Sequence, residues 1–333
     1  MTRPIRRILV AVKDIRGRAS PTLRKAAGLA RALGARLELF HAITEPVAVD
    51  ILMLANRNLD TFEAEERRRC LKRLETLATP LRRNGLVVGT AVDWDHPAHE
   101  AVIRQARRTR ADLIVVERHA GGHVAPWFLR YTDWELLRQS PVPVLLVKKA
   151  RPYDSPKVLA AIDPAHAFAK TARLDEEILH LGARIAAATR GRLHAVHTYV
   201  PTLVDMKPEA LSAPDASAQI TTHATAIASA AFDKTLRRAR LGKLAPERRH
   251  LLISHAVDAI PVLARKLGCD LVVMGAISRS GFKRLAIGNT AERLLDDLPC
   301  DLLVVKPPAF STRVPARSRG PQLIVAGPLS GTL

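Results

Sequence analysis

The chain has 333 residues, 47% of them hydrophobic and 25% charged, which excludes widespread disorder and supplies enough length for two ordinary domains with separate cores. A formal net charge of +20 draws phosphates, nucleic acid and anionic surfaces without choosing among them, or else simply reflects an arginine-rich composition; with only 4% aromatic residues and no aromatic run among the basic ones, a stacking surface for single strands is not evident and any nucleic-acid binding is expected to be weak and non-specific. Cys70, Cys269 and Cys300 lie far apart with no C-x-x-C spacing, which argues against a disulfide framework or a cysteine zinc site, and no apolar run is long enough to span a membrane, so a cytoplasmic location is expected.

In chain order, Arg7 to Val12 (RILVAV) reads as a strand buried on both faces, as parallel strands are when helices cover both sides. Pro21 to Leu33 reads as a helix with Ser20 as N-cap, Pro21 in the first position and Gly34 as the stop. Arg36 to His41 is the next strand, and a long helix from about Asn58 to Asn84 carries a solvated charge cluster at Glu63, Glu65, Glu66, Arg67, Arg68 and Arg69. Leu86 to Val92 is a strand, His99 to Thr109 a helix, Asp112 to Val116 a strand, Asp133 to Gln139 a helix and Val142 to Val147 a strand.

The pattern then starts again. Val158 to Ile162 repeats Ile8 to Val12, and ARIAAATRGRLHAVH repeats the helix-Gly-strand passage ARALGARLELFH. A second long helix runs from Asp215 to Arg240 with Asp215 as a candidate N-cap; Arg249 to Ile253, Leu271 to Met274 and Asp301 to Val305 are strands, with a helix over Ile260 to Leu267. The endings align without a gap, Asp112 with Asp270, Pro141 with Pro299 and Lys148 with Lys306, where 306 minus 148 gives an offset of 158. This is a duplicated domain, each copy a doubly wound parallel α/β sheet. The expected boundaries are 1–150 and 151–310 with a joint over Ala150 to Pro156, followed by a tail, 311–333, rich in Pro, Gly, Ser and Arg that reads as loose apart from Leu323 to Ala326.

The chemistry concentrates between Leu271 and Leu295. The buried strand Leu271 to Met274 is followed at once by Gly275, where the backbone must turn, and a helix opens at Asn289 to Leu295 with Asn289 or Thr290 as cap. The loop between them holds Gly275, Gly281 and Gly288, the hydroxyls of Ser278 and Ser280, and the cations Arg279, Lys283 and Arg284. Glycine lets backbone approach an anion and a helix N-terminus adds partial positive charge, so such a loop folds around phosphate; a basic solvated loop with glycines at its turns is the plain alternative. Asp163 stands directly after the second copy's first strand, at the strand end where open parallel sheets bind ligands.

These residues resemble the nucleotide signature of the universal stress protein family, which runs G-x-x-G, nine residues, then G followed by Ser or Thr. Gly275 holds the first position, Ser278 stands where the second glycine belongs, Arg279, Ser280 and Gly281 keep the R-S-G that follows, Gly288 holds the third glycine, and Asn289 with Thr290 replaces the last hydroxyl residue. Both halves resemble the family domain over roughly residues 5 to 306, in the arrangement of its tandem, E-type members. The resemblance implies ATP binding where the signature is kept, with Mg2+ accompanying the nucleotide, and pairing of domains through their last strands. It implies that Asp163 faces the nucleotide, that Ala161 and Thr198 bracket the adenine, that Met274 precedes the phosphate loop, and that Gly275, Ser278, Gly288, Asn289 and Thr290 hold phosphate and ribose. It supplies no catalytic base, so any ATP hydrolysis is expected to be slow.

The first copy departs at the decisive positions: Gly275 becomes Glu117, Gly288 becomes Arg130, and Lys13 stands opposite Asp163 with Asp14 one place late. A carboxylate facing phosphate repels it, so this half is expected to lack the nucleotide site. It also carries His96, His99, His119 and His123 near Asp93 and Asp95, residue types that suit zinc, although such clusters are more commonly hydrogen-bonded surface groups. The expected function is a stress-response regulatory or interaction module with a nucleotide site in its second domain and an unidentified protein partner, its two copies paired as an internal dimer and free to form a homodimer. The alternative is an interaction protein without nucleotide, docking nucleic acid or an anionic lipid-like ligand on its basic surface.

Overall fold

The computed structural model describes residues 4–16, 19–118, 134–164, 173–201, 216–275, 294 and 297–325. It divides into two compact units, one of Arg3–Pro152 with Ser311–Leu333, the other of Tyr153–Phe310 with Met1–Thr2.

The first unit contains β1 (Arg7–Ala11), α1 (Pro21–Leu33), β2 (Arg36–Ile43), β3 (Val47–Ala48), α2 (Val49–Leu54), α3 (Leu59–Arg83), β4 (Val88–Trp94), α4 (Ala98–Thr109), β5 (Leu113–Glu117), helical residues 134–139 (α5) and β6 (Val144–Val147). Its parallel strands lie in the order β4-β2-β1-β5-β6. Ile8, Leu9 and Val10 of β1 are buried, as expected for a central strand covered on both faces. The α1 caps form as the sequence requires: Ser20 Oγ accepts the N–H of Leu23 at 3.2 Å, and Gly34 takes the left-handed conformation at φ 64° that a side chain would resist. Asn58 caps α3 in the same way, its Oδ1 accepting the N–H of Asp60 at 2.7 Å.

The second unit contains β7 (Lys157–Ile162), α6 (Leu174–Ala188), β8 (Arg192–Tyr199), α7 (Ala216–Arg238), β9 (Arg249–Ile253), α8 (Ala256–Leu267), β10 (Leu271–Gly275) and β11 (Asp301–Val305), with strand order β11-β10-β7-β8-β9, all parallel. Equivalent positions pair in equivalent register: Ala11 faces Val116 in the first sheet, and Ala161 faces Met274 in the second. Register identity at these points is what duplication produces.

Two features lie outside the sequence reading. Residues 47–54 form β3 and α2, a short strand and one and a half turns too brief for periodicity to reveal. And the segment after Phe310, read as loose apart from Leu323 to Ala326, belongs with the first unit, where β12 (Leu323–Ile324), inside that excepted stretch, pairs with β3. The helix expected over Asn289 to Leu295, apart from the helical residue Leu294, and the cap at Asp215 lie outside the described residues.

Candidate functional site

In the second unit the chain passes from β7 outward to β8 and β9, then returns to β10 and β11 on the other side of β7. Strand order therefore reverses between β7 and β10, and open parallel sheets bind ligands at the carboxyl ends of strands flanking such a reversal. Ala161 and Met274 are direct register partners there. Asp163 follows β7 two residues beyond Ala161, and Thr198 follows His197, the partner of Ile162. Gly275 ends β10. Five of the expected site residues thus converge on one end of three adjacent strands. Ser278, Gly288, Asn289 and Thr290 lie outside the described residues.

Gly275 is required by packing. A Cβ added there would stand 2.6 Å from Leu174 Cδ2 and 3.3 Å from Ile178 Cδ1, both side chains of α6. The glycine lets that helix lie close on the strand.

Sequence reasoning missed the electrostatics of the same helix. Asp175, Glu176 and Glu177 fill the first turn of α6, and the Asp163 backbone N–H donates to Asp175 Oδ1 at 3.1 Å. These carboxylates already complement the positive end of the α6 dipole, so that helix start is not offered to an anion. The charged first turn was visible as LDEEI, but nothing in the sequence placed it beside Asp163.

A second missed feature recurs in both units. His41 in β2 and His197 in β8 occupy matching places, next to Phe40 and Val196, which pair with Ala11 and Ala161. His41 Nδ1 donates to the Val12 carbonyl at 2.8 Å; burial pushes the ring's pKa down against the pull of that carbonyl, Glu45 and Asp14. His197 is buried, its ring tilted against Tyr199 and Phe232. The aligned passages ending in LFH and AVH were the available signal.

The first unit presents different groups at its corresponding strand ends. Glu117 ends β5 where Gly275 ends β10, and Lys13 follows β1 where Asp163 follows β7. His96 is exposed, whereas His99 is buried in α4 with Nε2 at 3.3 Å from Gln139 Nε2. Burial lowers the His99 pKa against opposing pulls from Glu135 and Glu100. Among the described residues no group of three or more His, Cys, Asp or Glu is gathered to hold a metal; His119 and His123 lie outside them.

The family model described as "Universal stress protein family" matches residues 4–148 and again 157–306. The chain belongs to the universal stress protein family. Among relatives of this universal stress protein, universal stress protein E of Escherichia coli strain K12 is 28% identical over 235 residues, covering 69% of this chain and 72% of the relative. Universal stress protein E of Photorhabdus laumondii is 23% identical over 298 residues, covering 89% and 93%. Among solved structures, that of PA1789 from Pseudomonas aeruginosa PAO1 matches with a TM-score of 0.68 at 25% identity, covering 91% of this chain and 93% of the other. The duplicated α/β architecture is therefore the fold of tandem universal stress proteins.

Proposed function

We propose that the second universal stress domain binds ATP or a related nucleotide, and that the chain acts as a regulatory or interaction module whose state follows that nucleotide. The observation that carries this reading is the convergence of Ala161, Asp163, Thr198, Met274 and Gly275 at the carboxyl ends of β7, β8 and β10. Ala161 and Met274 suit the faces of a base, and the Asp163 carboxylate suits a hydroxyl or amino donor of a nucleoside. In this reading phosphate, and any Mg2+ with it, goes to the Ser278 to Thr290 loop and its cations, and the acidic first turn of α6 supports that choice over α6. With no residue assigned to orient water, ATP hydrolysis is slow or absent. Calorimetry of the full chain with ATP, ADP and AMP tests the reading: heat with a Kd in the micromolar range or weaker supports it, and no heat with any of the three refutes it. Ser278→Gly, which restores the family residue, tightens binding.

The net charge of +20 favours a second reading, an interaction protein without nucleotide that docks nucleic acid or an anionic lipid-like ligand. Tight association with anionic vesicles by a chain that gives no heat with nucleotide would favour it. We also propose that β6 and β11, the last strands of each unit's order, pair as an internal dimer that leaves homodimerisation and a protein partner optional. Val144→Asp with Leu303→Asp then produces aggregation or cleavage at the 150–156 joint; a double variant as soluble and protease-resistant as the parent would rule the pairing out.

A further inference from the structure

The segment that follows Phe310 runs along α4 of the first unit. The Val314 carbonyl accepts from Arg107 Nη1 at 3.3 Å and the Pro315 carbonyl from Arg104 Nη1 at 3.2 Å, so the segment travels from the carboxyl half of the helix towards its amino end. There Arg319 lays its guanidinium on Glu100 in bidentate fashion, Nε to Oε2 at 3.0 Å and Nη2 to Oε1 at 2.8 Å. The backbone N–H of Arg319 donates to Asp95 Oδ1 at 3.0 Å. Further on, the Gln322 carbonyl accepts the Val47 N–H at 2.8 Å, and Leu323 and Ile324 pair in parallel with Val47 and Ala48.

The charge count of the groove explains why an arginine sits there. Asp95 is 0% exposed and Glu100 is buried beside it. Arg104, also buried, serves both, with Nε to Asp95 Oδ2 at 2.8 Å and Nη1 to Glu100 Oε2 at 3.0 Å. Two carboxylates and one guanidinium leave one negative charge under the surface, and an unpaired buried charge is strongly unfavourable. The groove therefore demands a second cation, and the bidentate geometry selects arginine over lysine. The hold on the rest of the segment is slight. Val314 is buried, but Leu323, Ile324 and Val325 are exposed, so the strand end contributes little apolar burial and sits at the low-stability end of the fold.

We propose that this groove, formed by Asp95, Glu100 and Arg104 with the edge of β3, is a binding site for an extended arginine-bearing peptide, and that residues 311–325 occupy it as a resident, exchangeable ligand. Recognition combines an exposed arginine, held in bidentate fashion on a buried carboxylate, with short strand addition. The first domain, whose strand ends carry Glu117 and Lys13 in place of the nucleotide residues, acts as a peptide reader. This holds whether or not the second domain binds nucleotide.

The test uses the full chain with Arg319→Glu, which sets a carboxylate against Glu100 where the guanidinium had been and expels the resident segment. Amide exchange at Val47, protected by the Gln322 carbonyl, accelerates at least tenfold, while exchange along β1 is unchanged. A labelled synthetic peptide of residues 311–325 then binds the variant at least tenfold more tightly than it binds the parent and restores protection at Val47. The same peptide with Glu in place of its arginine at 319 does not bind. Arg319→Gln is run in parallel in case the Glu variant does not fold, with the same expected direction. Unchanged Val47 exchange in both variants, or a deprotected variant that fails to take up the arginine peptide, overturns the proposal.

Discussion

Replacing Gly275 with alanine tests whether that glycine is held by packing or by ligand. The added methyl meets Leu174 Cδ2 at 2.6 Å, Leu174 Cγ at 3.2 Å and Ile178 Cδ1 at 3.3 Å. Leu174 and Ile178 are each 2% exposed, so neither can swing into solvent. Overpacking of this kind costs about 1–3 kcal/mol, offset by about 0.4–1 kcal/mol from the stiffer unfolded chain, for a net loss of about 1–2 kcal/mol. Leu174→Ala alone leaves a cavity and costs about 2–5 kcal/mol. In the double variant the alanine methyl enters the space that leucine vacated, so the combined loss falls short of the sum by at least about 1 kcal/mol. Urea unfolding of the parent, both single variants and the double variant, followed by circular dichroism, measures the coupling. Losses that add within about 0.5 kcal/mol would show that Gly275 does not serve the contact with α6. The result also bears on any larger substitution at Gly275 made to block nucleotide, such as Gly275→Glu, because that change disturbs α6 before any nucleotide is considered.

Burial, then the adjoining His250 ring and the cations Arg248, Lys157 and Arg192, hold the His194 ring down to about 4 from 6.5. The unfolded chain therefore takes up the proton first, and stability that is full above about 6.5 is lost as pH falls towards 4, by at most about 3 kcal/mol; His194→Gln flattens the urea-midpoint slope in that window, and an unchanged slope would refute the assignment. Ser20→Ala, which removes the acceptor for the Leu23 N–H, costs about 1 kcal/mol in the same assay, whereas Ser20→Asp costs only a few tenths. Retention on nucleic acid, which rests on the excess of Lys and Arg, falls steeply between two salt concentrations in a gel shift; sequence-selective binding that survives high salt would contradict this.

What the sequence reveals and what it conceals divide along physical lines. Ser20, Pro21, Gly34 and Asn58 announce helix ends because capping is local, satisfied within a few residues of the cap. The duplicated registers were legible because a parallel strand buried on both faces needs a continuous apolar run, and both copies keep it. The anchors of the tail were illegible for the converse reason. Its Pro, Gly, Ser and Arg content describes what the segment can bury by itself, while its anchors at Asp95 and Glu100 lie more than two hundred positions away in sequence. Gly275 was legible as a turn or an anion-facing glycine, yet the contact with Leu174 is tertiary and leaves no trace in its neighbours.

That contact bears on how the two copies diverged. Since Gly275 admits α6, the glycine-to-glutamate difference at Glu117 adds a side chain at a position where the second unit has no room for one, and not merely a charge. Reversal by a single change is then not expected. Glu117→Gly removes a carboxylate but leaves Lys13 where Asp163 stands in the second unit, and Ala42 where Thr198 stands. It also removes a side chain from a strand end, where glycine costs about 0.5–1 kcal/mol in backbone entropy. The variant should lose stability and gain no nucleotide site, so calorimetry of Glu117→Gly returns the same stoichiometry with ATP as the parent. A second equivalent of bound nucleotide would show that the carboxylate alone closed the first site, and that the rest of its edge had remained competent throughout.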